Sequence, residues 1–165
     1  MSGFDTKQKK ISPERYAAII AYINTHYVEE ALVLKAPLKP EAICSLPDVL
    51  EQAGETFSEM VLRKIDEEGL TDVQCYKKAH LDRKLFSKLR SSADYQPSKN
   101  TALALGLALE LPLAEFTDLL EKAGYALSHA SKRELIIEYF VAQKNYDFYE
   151  INQALDAFQQ KVLPL

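Results

Sequence analysis

The chain has 165 residues, 47% of them hydrophobic and 27% charged, enough apolar material for one domain of ordinary core size with or without an extension. Five glycines and seven prolines exclude a fibrous or low-complexity chain, and no apolar run reaches the roughly 18–20 residues of a membrane span. The formal net charge of −4 hides an uneven distribution: residues 71–101 hold seven Lys/Arg against three acids, while residues 41–70 come to −6 and residues 102–165 to −4.

The first residues, MSGFDTKQKK, carry positive charge but are followed by amphipathic sequence, so a secretory signal is not expected; Lys7, Lys9 and Lys10 read as a basic arm. Ser12-Pro13-Glu14 puts a capping serine before a proline at the first helical position. The helix it opens runs to about Tyr27, with Tyr16, Ile19, Ile20, Ile23 and Tyr27 on one face. A lone helix would not leave that face wet, so it is expected to reach a partner. Pro37, Pro40 and Pro47 then forbid a long helix and mark a linker, with one short helix expected around residues 46–53.

Start signals follow densely. Thr56–Glu59 is a capping box opening a helix with Phe57, Met60, Val61 and Ile65 inward and a stop at Gly69. Thr71–Gln74 is a second box, for a short helix through Ala79; Asp82 caps a third, with Leu85, Phe86 and Leu89 inward, ending near Ser92. Ser98 caps a fourth through Leu109, and a fifth follows Pro112, from about Leu113 to Lys122, stopped by Gly124. Two further boxes, Ser131–Glu134 and Asp147–Glu150, open helices rich in large apolar residues, among them Leu135, Ile136, Phe140, Ile151, Leu155 and Phe158. Alternating polar–apolar runs are absent, so the fold is expected to be all-α.

Chemistry-bearing motifs are few. His26, His80 and His129 are isolated along the sequence, Cys44 and Cys75 have no metal-ligand or CxxC spacing, and Gly106 and Gly124 belong to no phosphate loop. No nucleophile-elbow motif is present. The expectation is a cytoplasmic chain with reduced thiols that is not an enzyme and uses no metal and no cofactor. The acid run Asp66-Glu67-Glu68 sits at a helix end as a solvated face or partner contact.

The stretch GLTDVQCYKKAHLDRKLFSKLRSSADYQPSKNTALALGLALELPLAEFTDLLEKAGY resembles the lambda-repressor-like (Cro/XRE-type) helix-turn-helix family, over about residues 57–124. Leu70-Thr71-Asp72-Val73 matches the start of the motif's first helix, Ala79 its small packing residue and Leu81 the aliphatic residue of its turn. Pro97-Ser98 matches the element before the fourth helix, and LAEFTDLLEKAG the closing helix. The resemblance implies a helix-turn-helix at residues 70–97 within a five-helix bundle. It also implies a recognition helix over about Asp82–Ser91 that enters the major groove of double-stranded DNA.

The residues themselves suit that use. With Leu81, Leu85, Phe86 and Leu89 inward, the opposite side of the second helix is Arg83, Lys84, Ser87, Lys88, Arg90 and Ser91. Arginine can read guanine with two hydrogen bonds, and lysine or serine can take phosphates. Thr71 would bring a helix N-terminus to a phosphate, and Gln96, Ser98 and Lys99 lie in the loop that touches backbone in relatives. Asp82 departs from this pattern, either accepting from cytosine or capping its own helix, and the cap is favoured. The expected division is residues 1–55 as an N-terminal helix and linker, 56–127 as the helix-turn-helix domain, and 128–165 as a helical pair that caps it or mediates dimerisation. The expected function is a DNA-binding bacterial transcription regulator, working as a dimer. The alternative is a protein-interaction module, adaptor or antitoxin-like, on the same fold.

Overall fold

The computed structural model describes residues 11–27 and 54–164. Every regular element among them is a helix: α1 (Pro13–His26), α2 (Phe57–Glu67), α3 (Asp72–Lys78), α4 (Arg83–Ser91), α5 (Lys99–Ala108), α6 (Leu113–Lys122), α7 (Lys132–Ala142) and α8 (Phe148–Ala157). The short helix expected around residues 46–53 lies outside the described residues. No described helix is long and apolar enough to cross a membrane.

The starts follow local capping chemistry. Ser12, Thr56, Thr71, Asp82, Ser98, Ser131 and Asp147 each accept a backbone N–H of the first turn through the side chain, and only α6 starts without such a bond, after Pro112. At Thr56 and Thr71 the box is reciprocal, with Glu59 and Gln74 each accepting the backbone N–H of the capping threonine at 2.8 Å. The two boxes expected at 131 and 147 are only half formed. Glu134 instead accepts the Ser128 N–H at 2.6 Å and pairs with Lys99, and Glu150 accepts Asn145 and pairs with Arg15. Both carboxylates have stronger partners in tertiary structure than the capping N–H.

All the helix ends but those of α1 and α4 share one geometry. Gly69 and Gly124 take positive φ, as their lack of a Cβ permits, but so do His80, Glu110, Lys144 and Gln159. At α3, His80 adopts φ 53° while the Leu81 N–H donates to the Tyr76 carbonyl at 2.9 Å, a Schellman closure that turns the chain sharply into α4.

Packing follows from the apolar faces. α2 lies against α4 and α6, α3 against α4 and α5, and α5 against α6. α5 is buried from Thr101 to Ala108, all but its first two residues, and forms the centre of the bundle. Gly106 lets α6 approach it, because a Cβ there would stand 2.6 Å from the Phe116 ring. α7 packs on α6, α8 and α1, and its Leu135, Ile136 and Ile137 have no exposed surface within the single chain. Each such side chain stabilises the fold by about 1.5–3 kcal/mol. Buried residues of all eight helices join one continuous apolar core.

α1 divides the face expected to seek a partner. Ile19 and Ile23 are buried against the rest of the chain, whereas Tyr16, Ile20 and Tyr27 stay more than a third exposed. Tyr16 stacks on Phe158 with ring centroids 4.6 Å apart, and Arg15 pairs with Glu150, so α1 is pinned to the α8 side as well. The Tyr22 hydroxyl donates to Glu138 Oε1 of α7 at 2.8 Å, and His129 meets the other oxygen at 2.9 Å. Burial first, and then that carboxylate, hold the Tyr22 hydroxyl well above its ordinary range.

Candidate nucleic-acid interface

The residues from Thr71 to Ser91 build the candidate site from two helices and a tight turn. α3 is only two turns long and is fixed inward by Cys75, which has no exposed surface, and by half-buried Tyr76. Burial pushes the Cys75 thiol up to about 11, consistent with a packing rather than a reactive role. Ala79 is fully buried at the turn, where its small side chain allows the two helices to meet closely. Asp82 accepts the Lys84 N–H at 2.9 Å and so acts as the cap of α4.

α4 is strongly two-sided. Phe86 is 3% exposed and Leu89 not at all, while Leu81 and Leu85 are half-buried rather than core. Phe86 also leans on the Tyr76 ring of α3, with centroids 6.0 Å apart. On the opposite side Arg83, Lys84, Ser87, Lys88, Arg90 and Ser91 are all exposed. The two hydroxyls rest on their own helix, Ser87 donating to the Arg83 carbonyl and Ser91 to the Lys88 carbonyl, bonds that a ligand can replace at little loss.

Three cations of this stripe, Arg83, Lys84 and Lys88, make no ion pair among the described residues. Arg90 does. Its guanidinium donates through Nε and Nη2 to the two carboxylate oxygens of Asp72, the first residue of α3, the Nη2 bond measuring 2.6 Å. That guanidinium holds the Asp72 carboxyl below its ordinary range. A groove of about 500 Å³ opens between α3 and α4 beside the pair, lined by Val73, Tyr76, Arg83, Phe86 and Ser87 as well.

The remaining candidate residues divide. Thr71 is exposed, but its backbone N–H and hydroxyl are both engaged by Gln74 within the capping box. Gln96 is exposed. Ser98 is exposed too, and its hydroxyl caps α5 and meets Thr101 Oγ1 at 2.9 Å. Lys99 points away from any ligand role: its ammonium pairs with Glu134 at 2.6 Å and donates to the Ala126 carbonyl at 2.8 Å. It ties the start of α5 to the start of α7, which suits the half-buried position it occupies. The sequence pattern places it with the phosphate contacts because it cannot display a partner 35 positions further on.

Two histidines that are isolated along the chain meet in space. His26 stacks on Tyr22 and lies 6.2 Å, ring to ring, from His129. Among the described residues no group of three or more His, Cys, Asp or Glu side chains is arranged to hold a metal ion. Neither the Asp72–Arg90 pair nor the Tyr22–Glu138–His129 cluster was visible in sequence, where opposite charges 18 positions apart carry no register. Comparison with protein-family models, with curated proteins and with solved structures finds no match to this chain.

Proposed function

We propose that the chain is a DNA-binding regulator in which α3, the turn at 79–82 and α4 act as a helix-turn-helix, with α4 entering the major groove. The observation that carries this reading is the two-sidedness of α4. Its apolar side is buried through Phe86 and Leu89, while Arg83, Lys84, Ser87, Lys88 and Ser91 are displayed together on solvent, three of them cations without an internal partner among the described residues. A rigid helix presenting such a stripe is what base and phosphate contacts require. The packing of α3 on both α4 and α5 supports the reading, because it fixes the recognition surface on the bundle instead of on a loop. Arg83, Lys84, Ser87 and Lys88 are assigned to DNA, Ser91 and Gln96 to its flanks, and Thr71 and Ser98 chiefly to capping.

A second reading, a protein-interaction module on the same fold, is favoured by one observation. Arg90 and Lys99 are already neutralised by internal carboxylates, which leaves the surface less positive than the sequence promised. The two readings separate on titration of labelled duplex DNA at low salt. The DNA reading expects binding that Arg83→Ala with Lys88→Ala weakens by about 2–6 kcal/mol in sum, taking each lost base or phosphate contact at about 1–3 kcal/mol. A folded protein that ignores duplex DNA at low salt would favour the protein partner.

A further inference from the structure

We propose that Asp72 is an internal competitor for the DNA backbone, holding Arg90 until a phosphate displaces it; this rests on the reading of α3 and α4 as the DNA-binding element. Arg90 shares its side of α4 with Arg83 and Ser87, at positions i, i+4 and i+7, and all three line the groove between α3 and α4. The one carboxylate lining that groove is Asp72. It meets the guanidinium with both oxygens, through Nε and Nη2. The two non-bridging oxygens of a phosphodiester offer the same flat pair of acceptors, so phosphate and carboxylate compete for a single fork of donors.

The pair is built to be displaced. The Arg90 side chain is 51% exposed and that of Asp72 34%, so water screens their attraction and a phosphate can reach the guanidinium. Asp72 is not the cap of its own helix, because Thr71 supplies the cap of α3 and Gln74 completes the box. With the carboxylate in place, Arg90 contributes nothing to a charged partner that does not first break the pair. The device therefore lowers affinity for any duplex and leaves the tighter mode to DNA that seats a phosphate in the groove.

The test is a double-mutant cycle on the full chain: wild type, Asp72→Asn, Arg90→Ala and the double variant, each titrated with a labelled duplex at about 50 mM and about 200 mM salt. Arg90 reaches a phosphate in wild type and in Asp72→Asn alike, and only wild type must first break the pair. Their salt slopes should therefore be close, whereas that of Arg90→Ala, one phosphate contact short, should be shallower by about 0.9. Asp72→Asn should bind more tightly than wild type at both salt concentrations, while Arg90→Ala should lose about 3.5-fold less affinity than wild type between them. In the Arg90→Ala background the same substitution should gain little. An equal gain with and without Arg90 would mean that Asp72 acts only as a nearby negative charge, and would overturn the proposal. So would wild-type binding that Asp72→Asn leaves unchanged, a result that spares the DNA reading itself. Absence of binding by every variant, each shown folded by its helical circular dichroism, would overturn both.

Discussion

At the scale of single residues, the same side chain changes meaning with its neighbours. Gly106 is the clearest case. In an open helix, alanine is favoured over glycine by about 1 kcal/mol. Here the added methyl would meet the Phe116 ring at 2.6 Å, and Phe116 is fully buried. Gly106→Ala is therefore expected to destabilise the protein by about 1–3 kcal/mol, read as a lower urea midpoint, with the clash outweighing the propensity. Tyr22 gives a prediction in pH. Burial and the Glu138 carboxylate raise its folded-state titration above the ordinary value of 10.0. The unfolded chain thus releases that proton first, and the stabilisation, complete below about pH 10, is lost as the pH climbs above it. Tyr95 and Tyr146, also raised by burial, act with the same sign. Urea unfolding at about pH 9 and about pH 11 should show a fall in stability that Tyr22→Phe makes shallower, along with a loss of about 1–3 kcal/mol at neutral pH from the missing bond to a buried carboxylate.

At the scale of elements, helix starts were legible and helix partnerships were not. Seven side-chain caps act where the sequence has Ser, Thr or Asp before an apolar period, because an N-cap is settled within four residues. Gly69 and Gly124 announce two helix ends, but His80, Glu110, Lys144 and Gln159 end helices in the left-handed region with no glycine to mark them. After His80 and Glu110 the apolar residue that follows, Leu81 or Leu111, pulls the chain back onto the core. Glu134 and Glu150 look like box partners and serve as tertiary ones, since a lysine or arginine from a distant helix outcompetes a backbone N–H. α1 shows the same limit. Its apolar stripe is plain in sequence, but the docking of Ile19 and Ile23 within the same chain is long-range information. α1 is held chiefly by α7, so Ile19→Ala, at about 2–5 kcal/mol, should open α1 selectively. Hydrogen exchange checks this: amides of 14–26 should lose protection while those of α5 keep theirs, and equal loss throughout would show that α1 is part of a single cooperative unit.

At the scale of the whole molecule, the acidic net charge and the basic stripe are compatible because they occupy different surfaces. Arg63 and Lys64 are spent on Glu55, Glu67 and Glu115, and Lys78 on Glu110, so the acidic flanks absorb much of the positive charge near them. Among the described residues, Arg83, Lys84 and Lys88 form a cluster of cations without an ion pair on α4. Sequence counting located that window because charge per segment needs no fold. It overstated the strength of the site by two cations, because Arg90 and Lys99 meet carboxylates that only folding brings near. The most direct test is to add a short duplex at low salt to the ¹⁵N-labelled protein and follow its amide resonances. The largest shifts should fall on residues 83–91 and fade as salt is raised. Unchanged spectra at low salt, or shifts confined to α1, α7 and α8, would contradict it.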